Sequence, residues 1–476
     1  MKGPAARLRG LCLGTMAAVG LAFVPAGASA GGVTLITGTT TETSGLTSQY
    51  KIEVPDPWNG TLVLYSHGYQ FPFQAGPPKD AGDPVTGAWL LGHGYALAGS
   101  TYAKTGWALQ QAFQDQIAVL DVFAAKVGTP TRTIAWGHSL GGMITAGLVQ
   151  LFPDRFTAAL PMCGVVAGGP GVWNQGLDSE FALSTLLAPG AFKLVNFTGA
   201  GDAAANFNAA SAVLATAQGT AAGRARIALS AALADLPGWF DPTSAEPAAG
   251  DFAAQEVNQF NWDNNPDFFF GFFGRLELET RAGGNYSWNT GVDYRVQLSH
   301  SSDLAEVIGL YAAAGLDLNQ DLDKLNAAPR IAADPSAAAY VEKYITYNGN
   351  LNMPVLTMHT TGDGLVEVTD ENAYAGVVRS AGDNPMLRQV FVHRAGHCTF
   401  SPAETISAFQ TLIHRLDTGA WDDSTNPDAM NAEAAGLGPG FNFIAVGSPV
   451  QLIPTAPGFL QFQPDKFLRP FDARDL

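Results

Sequence analysis

Apolar positions recur along the chain with two periods, and the two periods take turns. Residues 50–54 alternate apolar and polar side chains. The turn-like Pro55-Asp56-Pro57-Trp58-Asn59-Gly60 and the apolar stretch 61–66 follow. Two short strands about an Asn-Gly turn predict a β-hairpin. Residues 89–91 then predict a short helix and 95–100 a strand. Phe113, Ile117, Val119, Leu120 and Phe123 fall at helical spacing within 108–125. A strand at 131–136, a helix at 140–151 and a strand at 157–162 continue the rhythm. Such alternation predicts an α/β protein with a mostly parallel sheet covered by helices on both faces.

The rhythm breaks over residues 166–351, where 221–233 and 303–314 read as helices and strand signals are few. It resumes with a strand at 353–358, a helix at 370–381, a strand at 387–392 and a helix at 402–416. An insertion of this size inside a sheet predicts a mainly helical cap over the sheet's functional edge. The expected division is therefore a core of 31–165 and 352–420 with a cap of 166–351. The Pro-, Gly- and Phe-rich tail 421–476 is expected to pack on the core without forming a domain. At the start, Lys2, Arg7 and Arg9 precede an apolar run at 11–24 and the small residues Ala28-Ser29-Ala30. That is the order of a secretory signal peptide over 1–30. Its apolar run is about 14 residues, short of the roughly 20 that span a bilayer. A secreted or periplasmic protein without a membrane span is the expectation.

Composition narrows the function classes. With 47% hydrophobic and 14% charged residues in 476, the chain has ample apolar material for a packed core, which excludes general disorder. Lys and Arg number 25 against 42 Asp and Glu, a net charge of −17. Loss of the leader would leave 22 basic residues against the same 42. Such a surface is unsuited to nucleic acid or anionic membranes, whose binding rests on Lys and Arg. No CxxC, HExxH or spaced His cluster calls for a metal, and no GxGxxG or Walker-type loop calls for a nucleotide cofactor.

The chemistry concentrates at strand ends. Gly137-His138-Ser139-Leu140-Gly141-Gly142 joins a predicted strand to a predicted helix. A G-x-S-x-G at that junction is a nucleophile elbow, which lifts the serine hydroxyl above the sheet and aims the following N–H at the site. A serine hydroxyl needs a base, and the base needs an orienting acid. Asp363, between glycines just past the strand 353–358, is the candidate acid, with Glu367 and Asp370 as fallbacks; Asp370 reads more simply as a helix N-cap. His397, on the loop after the strand 387–392, is the candidate base. His393 and His138 are expected to point elsewhere. His67-Gly68-Tyr69 ends the strand 61–66, where the backbone N–H of Tyr69 can join that of Leu140 as an oxyanion hole.

Taken together, these segments resemble the α/β-hydrolase superfamily, over roughly residues 48–165 and 352–418. The resemblance implies hydrolysis through an acyl-enzyme at the carboxyl ends of a mostly parallel sheet. His397-Cys398 is also similar to secreted tannase and feruloyl-esterase-like enzymes, in which cysteines beside the serine and histidine are bridged. Here His138, not a cysteine, precedes the serine. Cys163 nonetheless ends the strand after the nucleophile helix and Cys398 adjoins His397, so a Cys163–Cys398 disulfide is expected, the alternative being two buried thiols. In the insertion, Phe268, Phe269 and Phe272 belong to an aromatic cluster that serves either as the cap's core or, with His67 and Gly68, as the wall of a substrate pocket. The resulting expectation is a secreted serine hydrolase acting on a small-molecule or polymeric carboxylic ester, with the oligomeric state left open. A serine peptidase or aminopeptidase of the same fold is the alternative, and it would show a carboxylate pair in the cap near Ser139. A non-catalytic binding protein is the third reading.

Overall fold

The structure, a computed structural model, describes residues 32–42 and 44–471; the expected signal peptide lies outside them. The first half of the core runs β1 (Val33–Thr41), β2 (Thr47–Pro55), β3 (Thr61–Ser66), α1 (Pro84–Gly92), β4 (Ala96–Ser100), α2 (Leu109–Lys126), β5 (Arg132–His138), α3 (Leu140–Leu151) and β6 (Ala158–Met162). After the insertion come β7 (Val355–Gly362), the helix Asp370–Ala381, β8 (Leu387–Ala395) and the helix Pro402–Thr418.

The sheet order is β1-β2-β4-β3-β5-β6-β7-β8, closed at one edge by the short strand Phe459–Leu460. From β4 through β3 to β8 the strands are parallel. β1 and β2 add antiparallel at the other edge. This is the α/β-hydrolase fold. The hairpin expected around Asn59-Gly60 does not form, because β4 lies between β2 and β3. Burial explains the separation. Every residue of β3 is buried, as a strand covered on both faces must be, whereas β2 alternates and suits an outer antiparallel position.

Alternate residues of β3 serve two cores. Leu62 and Leu64 pack with Phe113 and Leu120 of α2 and Met143 of α3. Val63 and Tyr65 pack on the opposite face with Leu90 of α1 and with Phe409 and Leu412. Between β6 and β7 the chain is helical, from α4 (Gly169–Leu187) to the helix Pro335–Lys343. This region has its own core, with Leu177, Phe181, Leu214, Ile227 and Phe272 among its buried residues. The tail carries more regular structure than its composition suggests: a helix at Pro427–Gly436, a two-stranded ribbon and the edge strand on β8. Among the described residues no helix is long and apolar enough to cross a membrane.

Candidate active site

Ser139 follows β5 and caps α3 with φ +58°, a left-handed conformation that a non-glycine residue holds only when its surroundings force it. The flanking glycines are demanded by space. A Cβ on Gly141 would stand 2.0 Å from the Ser66 carbonyl oxygen, and one on Gly137 would stand 2.3 Å from that of Gly141. The turn therefore closes only with bare backbone on both sides of the serine.

The structure brings Ser139, His397 and Asp363 together. His397 Nε2 lies 2.8 Å from Ser139 Oγ, and His397 Nδ1 lies 2.7 Å from Asp363 Oδ2. The loop that delivers His397 turns at Gly396, whose φ of +95° suits glycine. Asp363 is fully buried, and its Oδ1 accepts the Leu365 and Val366 N–H groups, each at 3.1 Å. Burial works to raise its carboxyl, but His397, His359 and the Val366 N–H outweigh burial and hold it below the usual range. Behind it, His359 Nδ1 meets Glu371 at 3.1 Å and its Nε2 meets the Val366 carbonyl at 2.9 Å. Burial opposes protonation of that ring, yet Glu371 and Asp363 push its pKa up to about 9. His359 is thus a second imidazole bracing the acid, which the sequence reading did not single out.

The other candidates fall as follows. The His138 ring packs beside Tyr65, Trp136 and Phe400, and burial, then the charge of His397, push its pKa down to about 3. His393 is half exposed and faces Glu246 at 3.4 Å. Asp370 is the first residue of its helix and not its cap, a place held by Thr369; its carboxylate accepts the Ala167 N–H at 3.0 Å. Gly68 crosses Ser139 closely, since a Cβ there would stand 3.3 Å from the serine Cβ. Leu140 opens α3, so its N–H belongs to the free first turn of a helix, where a developing negative charge is favoured.

Cys163 and Cys398 form a disulfide across 235 residues of sequence, with Cα atoms 5.4 Å apart. The bridge ties the end of β6 to the residue after His397.

Ser139 opens into a cavity of about 110 Å³. At about 10–15 Å³ per water, that is room for several waters or one small acyl group. Of the aromatic residues expected on its wall, Phe268 lines it, together with Phe270, Tyr69, Trp107 and Trp173. Phe269 packs instead on Phe71 and Phe273, and Phe272 on Phe197 and Phe268 inside the cap. His67 stacks on Tyr102 at 4.0 Å, behind the cavity, and does not line it. A count of aromatics cannot tell which of them face the cavity: Phe268 and Phe272 pack on one another with ring centroids 5.8 Å apart, yet only Phe268 reaches the wall. Missed altogether were Glu180, Asp263, Asp267 and Arg275, which line the cavity together with Glu367. Glu367 had been weighed only as a fallback acid. No signal in the sequence singles the others out, because Glu180 sits mid-helix, Asp263 and Asp267 in a π-helical stretch and Arg275 at the start of the helix Arg275–Ala282.

The known proteins that the chain is similar to are hydrolases. Residues 88–167, which contain Ser139, match the prolyl oligopeptidase family. Over 431 residues the chain is 28% identical to an o-phthalyl amidase of Xanthobacter agilis, covering 84% of this chain and 92% of the relative. Among solved structures it is similar to an esterase from Aspergillus oryzae, at 13% identity with a TM-score of 0.41 and 82% and 81% of the two chains covered. Feruloyl esterase B from the same organism aligns at 14% identity with a TM-score of 0.39, covering 81% of each chain.

Proposed function

We propose that this chain, a serine hydrolase of the α/β-hydrolase fold, cleaves carboxylic esters or amides through an acyl-enzyme formed on Ser139. The observation that carries the reading is the continuous hydrogen-bonded line Ser139–His397–Asp363, at 2.8 and 2.7 Å. In this reading Ser139 Oγ attacks the carbonyl carbon while its proton passes to His397 Nε2. Asp363 fixes the imidazole with Nε2 facing the serine and offsets the charge it gains. The Tyr69 and Leu140 N–H groups hold the oxyanion, an effect of roughly 3 kcal/mol for each donor. His397 then returns the proton to the departing alcohol or amine. A water, deprotonated by the same imidazole, releases the acid and restores Ser139. Residues 166–351 serve as the cap that shapes the acyl pocket.

The carboxylic ester is the simpler substrate for this machinery. The amidase relative, aligned over most of both chains, favours amide cleavage as a second reading. Export belongs to the same proposal, supported by the signal-peptide order of residues 1–30 and by a disulfide suited to an oxidising compartment. Hydrolysis of p-nitrophenyl benzoate beside benzoyl p-nitroanilide, by the wild type and by Ser139→Ala, tests the reading. Turnover of at least one substrate is expected, and its loss in the variant. Turnover that survives in Ser139→Ala would remove the serine from the mechanism.

A further inference from the structure

The cavity beside Ser139 holds more acids than its own cation can answer. Glu180, Asp263, Asp267 and Glu367 line it, and Arg275 is the one Lys or Arg among the described residues that do. Arg275 is accounted for. Its guanidinium lies between the rings of Trp173 and Tyr286, gives Ser287 Oγ a hydrogen bond at 2.7 Å, and shares charge interactions with Glu180 and Glu279. That leaves Asp263, Asp267 and Glu367. The charged groups acting most strongly on Asp263 are Glu180 and Glu256; on Asp267 they are Asp263, Glu367, Asp363 and Glu180. Those acting on Glu367 are Asp370, Asp363 and Asp235. Each of these neighbours is an acid.

Hydrogen bonds do not make up the deficit. Asp263 is 1% exposed; its Oδ1 accepts from Ser179 Oγ at 3.3 Å, and its Oδ2 has no donor among the described residues. Asp267 Oδ2 is likewise shut off from solvent and unpartnered. Trp107 and Trp173 line the same cavity, both more than nine-tenths buried, and their indole N–H groups lack acceptors. Burial and the neighbouring acids hold the carboxyls of Asp263, Asp267 and Glu367 well above the usual range, so they keep their protons while no cation faces them. A cation brought among them would be met by carboxylates as those protons leave. Its kind follows from the walls. Among the described residues no three His, Cys, Asp or Glu converge as the ligands of a metal ion would. The rings of Tyr69, Phe268 and Phe270 complete the lining, and aromatic faces attract an organic ammonium.

We infer that the acyl group seated in this cavity carries an ammonium, received by Asp263, Asp267 and Glu367, so that the enzyme acts on esters or amides of amino-bearing acids. This inference rests on the hydrolase reading only for the bond that is cut. The two indole N–H groups offer donors to an oxygen of the same substrate.

The test has a binding arm that needs no turnover. Ligand-observed NMR titration of the full chain carrying Ser139→Ala, at pH 7.5 (chosen for the assay, about the pH where raised carboxyls begin to ionise), compares benzylammonium, benzyl alcohol and benzoate. Benzylammonium is expected to bind at least about tenfold tighter than benzyl alcohol, as hydrogen bonds to charged partners should allow. The gap should vanish when Asp263→Asn and Asp267→Asn are combined. Its affinity should also rise with pH, by about tenfold or more between roughly pH 5.5 and 7.5, because below their raised pKa values the acids must first give up protons. Benzyl alcohol should show no such rise. Equal binding of benzylammonium and benzyl alcohol, tighter binding of benzoate, or a flat pH profile for benzylammonium would overturn the inference. A turnover arm compares the p-nitrophenyl esters of 5-aminopentanoate and hexanoate, which are alike in length. Their kcat/KM ratio should fall at least about tenfold from wild type to the combined variant. Because each enzyme supplies its own ratio, a poorly folded variant does not imitate the result. If neither ester is turned over while benzylammonium still binds through Asp263 and Asp267, the hydrolase reading fails and the ammonium site stands. If both esters are turned over with a ratio that the combined variant leaves unchanged, the ammonium site fails and the hydrolase reading stands.

Discussion

Two buried arginines show how differently the sheet and the cap are built. Arg394, at the end of β8, gives two hydrogen bonds to Glu404 at 2.7 and 2.8 Å and others to the Thr399 and Ala456 carbonyls. Arg275, in the cap, gives one, to a serine. At the strand ends beside Ser139, Asp363 is matched by His397 and two N–H groups, and His359 by Glu371 and a carbonyl, while His67 Nε2, His138 Nδ1 and one Asp370 oxygen lack partners. The cavity beside Ser139, lined by both regions, leaves oxygens of Glu180, Asp263 and Asp267, the Arg275 Nε–H and the indole N–H groups of Trp107 and Trp173 without partners among the described residues. An unmatched buried polar group costs stability, so each such collection calls for an explanation. The contrast is what the proposed division of labour expects, with the core carrying the reaction and the insertion choosing what undergoes it.

If that division holds, a change at the triad should lower every substrate alike. Asp363→Asn keeps the shape but loses the charge that orients His397, and kcat is expected to fall about 10⁴-fold on charged and neutral esters together. Steady-state kinetics on both would show it; a loss confined to one substrate would break the comparison.

The disulfide tests the core's rigidity at the next level. Cys398→Ser is expected to lower stability by about 2–5 kcal/mol, since the bridge closes a very long loop. Denaturant unfolding would measure this. A fall in kcat larger than any change in KM should accompany it, because the bridge adjoins His397.

The smallest expected effects separate the two regions by pH. Glu180 has its pKa raised from 4.5 to about 7, chiefly by burial. Its contribution to stability is therefore whole below about 4.5 and is lost as pH rises through about 7. Glu180→Gln should gain on the wild type across that window, by at most about 3 kcal/mol. His359 has its pKa raised from 6.5 to about 9 by Glu371 and Asp363 against the effect of burial. Its contribution is whole below about 6.5 and is lost through about 9, so the penalty of His359→Gln should shrink only at higher pH. Thermal midpoints from pH 4 to 10 for both variants would sharpen the contrast, and coincident windows would blur it.

How legible each region was follows from the same physics. The strands and helices of the core announce themselves by period, and the triad residues sit on loops just past strand ends, where chain order and glycine give them away. The β2–β3 hairpin was misread because local turn chemistry at Asn59-Gly60 was weighed above the two-sided burial of residues 61–66. β1 went unseen: VTLITGTTT is largely exposed and carries little hydrophobic signal. The tail hid its edge strand for the same reason, pairing only two residues with β8. In the insertion, helices were legible and the lining of the cavity was not. Glu180 and Arg275, 95 residues apart in sequence, line one cavity through the packing of helices against one another, and no spacing rule encodes that.

The central claim is that Ser139 is the activated nucleophile of a preorganised site. Labelling the intact protein with a fluorophosphonate, followed by peptide mass spectrometry, tests it most directly. The account predicts one phosphonyl group per chain, on the peptide bearing Ser139, and its loss in His397→Ala. Labelling of another serine, or none in protein whose Cys163–Cys398 disulfide is intact, would contradict it.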